Sequence, residues 1–125
     1  MRTRLFWAQF AALVACAGGD FYALSQDLYW RYPLVDMPVH FLGGMWAALA
    51  FAYVLTAILK RPCPSLLPIV LASVIIGICW ELYEYAFHVA MVTSDFYVYD
   101  TAKDLLMDTL GGFAAYGLIR WLRLA

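Results

Sequence analysis

Apolar residues run along this chain in four long blocks, parted by short polar or aromatic stretches. The blocks cover about residues 5–24, 37–59, 66–91 and 101–122. Each approaches the roughly 20 residues that a helix needs to cross a bilayer. The pattern predicts an all-α integral membrane protein: four transmembrane helices in one domain. Three breaks separate them: the polar and aromatic stretch 25–33, Lys60-Arg61-Pro62-Cys63-Pro64, and the aromatic loop 93–99. Asp36, Ser65 and Asp100 stand where N-caps belong, and Pro38 falls in a first turn, where it is tolerated.

Composition strengthens this picture. Hydrophobic residues make up 66% and charged residues 14% of 125. A soluble domain carries about 45–50% and about 25%. The net charge of −1 says little about partners, but no basic patch suggests nucleic acid, which leaves membrane lipids. Cys16, Cys63 and Cys79 are odd in number and widely spaced, so they read as packing residues. Arg2 and Arg4 precede an apolar run as in a signal peptide, but no small-residue cleavage site follows, so the first helix reads as uncleaved.

Lys and Arg set the orientation. Arg2, Arg4, Lys60, Arg61, Arg120 and Arg123 flank one side, against Arg31 and Lys103 on the other. This predicts a multi-pass membrane protein with both termini and the middle loop cytoplasmic. Trp30, Tyr32, Phe96, Tyr97 and Tyr99 then fall on the opposite side as interfacial aromatics.

The ionisable residues segregate in that topology. At about 1.5 Å per residue, His40, Glu84, His88, Asp104 and Asp108 lie within roughly 12 Å of the outer interface, and Glu81 slightly deeper. Charged groups inside a bilayer each cost about 2.5–3.5 kcal/mol on insertion scales and mark function. Asp104, Asp108, Gly111 and Ala115 form one helical stripe, and Gly77, Glu81, Glu84 and His88 another. An internal echo accompanies them. Asp36, His40, Gly43 and Gly44 recur as Asp104, Asp108, Gly111 and Gly112, each 68 residues later. The echo suggests two duplicated helical hairpins about a pseudo-twofold axis along the membrane normal. The alternative is two independent helix starts, with the glycines serving close packing.

Carboxylates and imidazoles projecting inward from a bundle can build a metal site. Mixed oxygen and nitrogen ligands suit Zn, Mn or Fe. The expected ligands are His40, Glu84, Asp104 and Asp108. The expected catalytic carboxylates are Glu81, Glu84 and Asp108, because no Ser or Cys nucleophile falls in the cluster and metal-activated water remains. The competing reading is a hydrogen-bonded acid–His network that only holds helices together. Asp36 and Asp100 are equally well read as caps, His88 as interfacial, and Asp20 faces no stripe. Lys103 snorkels or pairs with a carboxylate. Trp46 and Trp80 read as lipid-facing or core aromatics.

The segment Asp104-Leu-Leu-Met-Asp108-Thr-Leu-Gly111-Gly112 resembles the closing helix of VanZ-like membrane proteins, where a D-x3-N-x2-G pattern opens the last helix. Related small bacterial inner-membrane proteins of unknown function share an early His, a Trp-Glu-x-x-Glu segment and an Asp-rich final helix. Here these are His40, Trp80-Glu81-Leu82-Tyr83-Glu84 and Asp100, Asp104 and Asp108. The resemblance covers about residues 36–120 and implies the cell inner membrane as the location, a place in the bacterial cell envelope, without naming a reaction. Asp108 stands where the VanZ pattern has Asn, which adds a charge and favours cation binding.

Three functions compete. One is a metal-dependent membrane hydrolase acting on a lipid-linked or amphiphilic substrate at the outer leaflet. Another is a cation or proton conduit, or a metal carrier. Only Thr56, Ser73 and the glycines continue its path inward, so a homo-oligomer would have to complete it. The third is a binding module without chemistry.

Overall fold

The computed structural model describes residues 2–32, 34–88 and 97–124. All of the secondary structure among these residues is helical. The helices are α1 (Arg2–Ser25), a short α2 (Leu28–Arg31), α3 (Asp36–Tyr53), α4 (Leu66–Phe87) and α5 (Tyr97–Leu124). A π-helical turn, Val54–Ile58, continues α3. There Thr56 Oγ1 donates to the Ala52 carbonyl at 2.8 Å, a back-bond that competes with the regular ladder.

Among the described residues, three helices are long and apolar enough to cross a membrane: Arg2–Ser25, Asp36–Ile58 and Leu66–Phe87. α5 is longer, at 28 residues, but carries Asp100, Lys103, Asp104 and Asp108 in its first half. The outer surface is apolar, with Leu67, Leu71, Ile75, Ile78 and Leu82 of α4 all exposed. Such a patch on a water-soluble monomer would drive association. In a bilayer it is the face that meets lipid.

The expected element ends shift in several places. The stretch 25–33 holds α2 rather than only a loop. Asp36 does not cap α3. Val35 occupies the cap position and Asp36 is the first helical residue, which frees its carboxylate for His40. Ser65 does precede α4, in extended backbone, but its side chain makes no capping hydrogen bond. α4 ends at Phe87, with His88 in the left-handed conformation and its N–H bonded to the Glu84 carbonyl. The expected continuation to Met91 passes into residues 89–96, outside the described ones, as do Phe96 and most of the expected loop. α5 starts at Tyr97, so Asp100 lies inside its first turn and pairs with Lys103 instead of capping the helix.

Specific contacts fix the helix directions. α1 runs antiparallel to α3: Phe6 packs on Tyr53, Trp46 Nε1 donates to Gln9 Oε1, and Cys16 lies beside Val39. α3 and α5 run parallel, with His40 against Asp108 and Met45 against Gly111. α4 is antiparallel to α5, with Ser73 beside Gly112 and Glu81 beside Thr101. α3 is the central helix and packs on α1, α4 and α5.

The α3–α5 crossing depends on missing side chains. A Cβ on Gly44 would collide with the Asp108 backbone, and one on Gly111 with the backbone of Phe41 and Met45. Below the crossing lies a core of small and branched residues: Ala48, Leu49, Ala52, Ile69, Ala115 and Ile119. Helices in lipid associate through such close packing, because hydrocarbon supplies no hydrophobic drive between them. The packing roles in the echo do not repeat at an offset of 68. Gly43 faces Cys16 of α1 and Gly44 faces α5, whereas Gly111 faces α3 and Gly112 faces Ser73 of α4. The cysteines form no disulfide. Cys16 and Cys63 are half-buried, but Cys79 is exposed and packs in no core.

Candidate functional site

The acidic end of the α3–α5 crossing is organised by one imidazole. His40 is buried, and its Nδ1 lies 3.3 Å from Asp108 Oδ2. Its Nε2 lies 3.6 Å from Asp36 Oδ1, one turn earlier on α3, and 3.9 Å from Glu81 Oε1 of α4. Asp108 is held there by Gly77 of α4, where any Cβ would collide with the carboxylate. Asp104 is buried one turn before Asp108, as the helical repeat requires.

Asp36, His40 and Asp104 each offer a ligating atom, and these atoms lie within 4.8 Å of one another. Two buried carboxylate oxygens of this cluster lack hydrogen-bond partners, Glu81 Oε1 and Asp104 Oδ1. Buried polar atoms without partners are uncommon and costly. Glu81 is otherwise fixed: its Oε2 accepts from Thr101 Oγ1 at 2.7 Å, and Tyr97 donates to its backbone carbonyl at 3.4 Å. Lys103 Nζ lies 3.9 Å from Asp104 Oδ1 as well as pairing with Asp100.

The two expected stripes fare differently. Asp104 and Asp108 stay together on the buried face of α5. The α4 stripe divides: Gly77 and Glu81 are buried, Glu84 is half-buried, and His88 is exposed. Glu84 Oε1 accepts a 2.9 Å hydrogen bond from Trp80 Nε1, one turn earlier on α4. Glu84 therefore lies outside the triad of close ligating atoms, which instead contains Asp36. Sequence reasoning weighed Asp36 as a cap. The signal that could have placed it was the echo, since its counterpart Asp104 was already a candidate. Thr101 was missed altogether; a hydroxyl three residues before Asp104 carries no motif of its own.

Asp20 is outside the triad of close ligating atoms, its Oδ1 accepting from Tyr29 at 2.7 Å. Burial, this hydrogen bond and the Asp20 charge raise the Tyr29 pKa well above the ordinary 10.0, so the phenol stays protonated.

No curated protein and no solved structure matches the chain. The likeness to VanZ rests on the short motifs alone. The family comparison matches residues 2–124, nearly the whole chain, and so the protein belongs to the family described as predicted membrane protein DUF2238.

Proposed function

We propose that the acidic end of the bundle binds a divalent metal ion, with Asp36, His40 and Asp104 as ligands and Glu81 completing the set. One observation carries this reading: Glu81 Oε1 and Asp104 Oδ1 are buried without hydrogen-bond partners, the former 3.9 Å from the ring nitrogen of His40 that Asp108 does not engage and the latter on a residue whose ligating atom lies within 4.8 Å of those of Asp36 and His40. Asp108 takes a different role from the one its sequence position suggests. A ligating His almost always gives its other ring N–H to a carboxylate, which orients the ring. Asp108 is placed to accept that proton.

Charge supports a cation. Asp36, Glu81, Asp104 and Asp108 crowd around one imidazole and Lys103. Carboxylates at low dielectric repel strongly, and a divalent ion offsets that repulsion. Zn, Mn and Fe suit the mixed oxygen and nitrogen donors. Such an ion supplies Lewis acidity to an ester or phosphoester. A membrane hydrolase of amphiphilic envelope substrates is the reaction that fits this reading. The conduit reading is weaker. Thr56 and Ser73, the buried polar side chains toward the apolar end, both donate to carbonyls of their own helices, so neither continues a path.

The same reading places α5 as a fourth span in an inner membrane, with both termini cytoplasmic. The parallel run of α3 and α5, with α1 and α4 antiparallel to them, supports that alternation.

Elemental analysis and Zn or Mn titration of the purified protein test the proposal. One ion per chain is expected. His40→Ala should abolish binding, Asp108→Asn should weaken it about 10–100-fold, and Glu84→Gln should leave it unchanged. A protein that takes up no metal, or whose uptake survives His40→Ala, would overturn it.

A further inference from the structure

A second site lies on the other side of His40. Among the described residues, α1 and α4 make no substantial contact with each other, although α1 packs on α3 and α4 on both α3 and α5. The space between them is a crevice of about 250 Å³ floored by α3. Leu13 and Ala17 form the α1 wall, Ile76 and Trp80 the α4 wall, and Gly43 and Trp46 part of the floor. The wall residues Leu13, Ile76 and Trp80 are themselves exposed, at 37%, 47% and 45%, so the crevice opens toward the lipid.

Its polar groups are gathered rather than scattered. Asp20, His40 and Asp108 line it, and no Lys or Arg is among the described residues that do. Antiparallel packing puts Asp20, Val39 and Trp80 toward the acidic end, and Leu13, Trp46 and Ile76 toward the apolar end. Trp46 is tied to Gln9 at that far end.

We infer that this crevice binds a single-chain amphiphile with a cationic amine head, the chain lying between α1 and α4 and the head meeting Asp20 and Asp108. An apolar cavity of about 150 Å³ already takes up benzene, so the volume is ample for a length of hydrocarbon chain. Carboxylates without a neighbouring Lys or Arg attract an ammonium and repel a carboxylate or phosphate head. The indole of Trp80, at the acidic end, adds an aromatic face on which a cation can rest. Small residues set the width: a larger side chain at Ala17 would fill it.

Native mass spectrometry of the full chain in detergent, with a chelator present, tests this without reference to the metal. Octadecylamine should give a one-to-one adduct at concentrations at least tenfold below those needed for octadecanoic acid. Ala17→Phe should remove the adduct, and Asp20→Asn should erase the preference for amine over acid. Ile75→Phe, exposed on α4 outside the crevice, should retain both. Should Ala17→Phe fail to fold, Leu13→Trp places bulk on the same wall. Equal adducts with amine and acid, no adduct at all, or an adduct that survives filling of the crevice would each overturn the inference. Metal stoichiometry measured on Ala17→Phe separates the two sites, since the metal reading requires it to stay unchanged.

Discussion

The two ends of the α3–α5 contact are built from the same pair of helices in one register, yet by different physics. At the apolar end Ala48, Leu49, Ala52, Ala115 and Ile119 are buried to within a few per cent, with no polar atom to satisfy. At the acidic end His40, Glu81, Asp104 and Asp108 are equally buried, and two of their oxygens go without partners. The apolar end is a finished surface, satisfied by contact alone. The acidic end leaves those two buried oxygens without hydrogen-bond partners, a cost that a proton, an ion or a ligand would relieve. The difference teaches where to look for function. A bundle this small gains nothing structural from crowding carboxylates, because interhelical polar contacts in membranes average only about 0.6 kcal/mol.

The largest effect should come from breaking what both ends share. Gly44→Ala puts a methyl group against the Asp108 backbone, which cannot yield as a side-chain tip can. α3 and α5 must separate, at a cost of about 3 kcal/mol or more. Unfolding in mixed micelles should report that loss, and metal uptake should vanish with it.

Leu49→Ala should touch only the apolar end. Leu49 is fully buried there. The expected loss is about 2 kcal/mol, the low end for such a truncation, because lipid lacks the transfer term that water adds. Metal affinity should be unchanged; a parallel loss of affinity would mean that the two ends are not separable.

Gly77→Ala sharpens the comparison from the other side. Its new methyl group meets the Asp108 carboxylate, a flexible tip, with the Asp108 Cβ farther off at 3.2 Å. The carboxylate should swing away from His40, lowering metal affinity about 10–100-fold while stability changes little. Titration alongside unfolding separates the two quantities.

The smallest effect belongs to a contact outside both ends. Tyr29→Phe removes the hydrogen bond to Asp20 and should cost about 1 kcal/mol. The sign with pH is fixed. The folded phenol holds its proton more tightly than the unfolded one, so this stability is full below about pH 10 and is lost as the unfolded chain ionises above it. The wild-type minus Tyr29→Phe difference, measured across pH 8 to about 11, should therefore shrink only at the alkaline end.

Hydrophobic periodicity alone determined that the chain is helical and membrane-embedded, and that its acids and imidazoles collect toward one end. Both follow from counting residues against the bilayer's thickness and the helical rise. The echo marked positions 40 and 108 as counterparts, but that they touch each other is a finding of the structure. Tertiary structure alone decided which acids face the imidazole. Glu84 is three residues from Glu81, and a helix turns about 100° per residue, so the two carboxylates leave α4 about 60° apart. Where α4 is seated against Asp108 through Gly77 decides which of them points inward, and it is Glu81. Asp36 joins the cluster because Val35, not Asp36, takes the cap position. The split between the two sides of His40 arises likewise, because α3 and α5 touch at glycine while α1 and α4 stay apart. Periodicity gives each helix a face, but only mutual packing sets its rotation about its axis, and that rotation chooses among acids one turn apart.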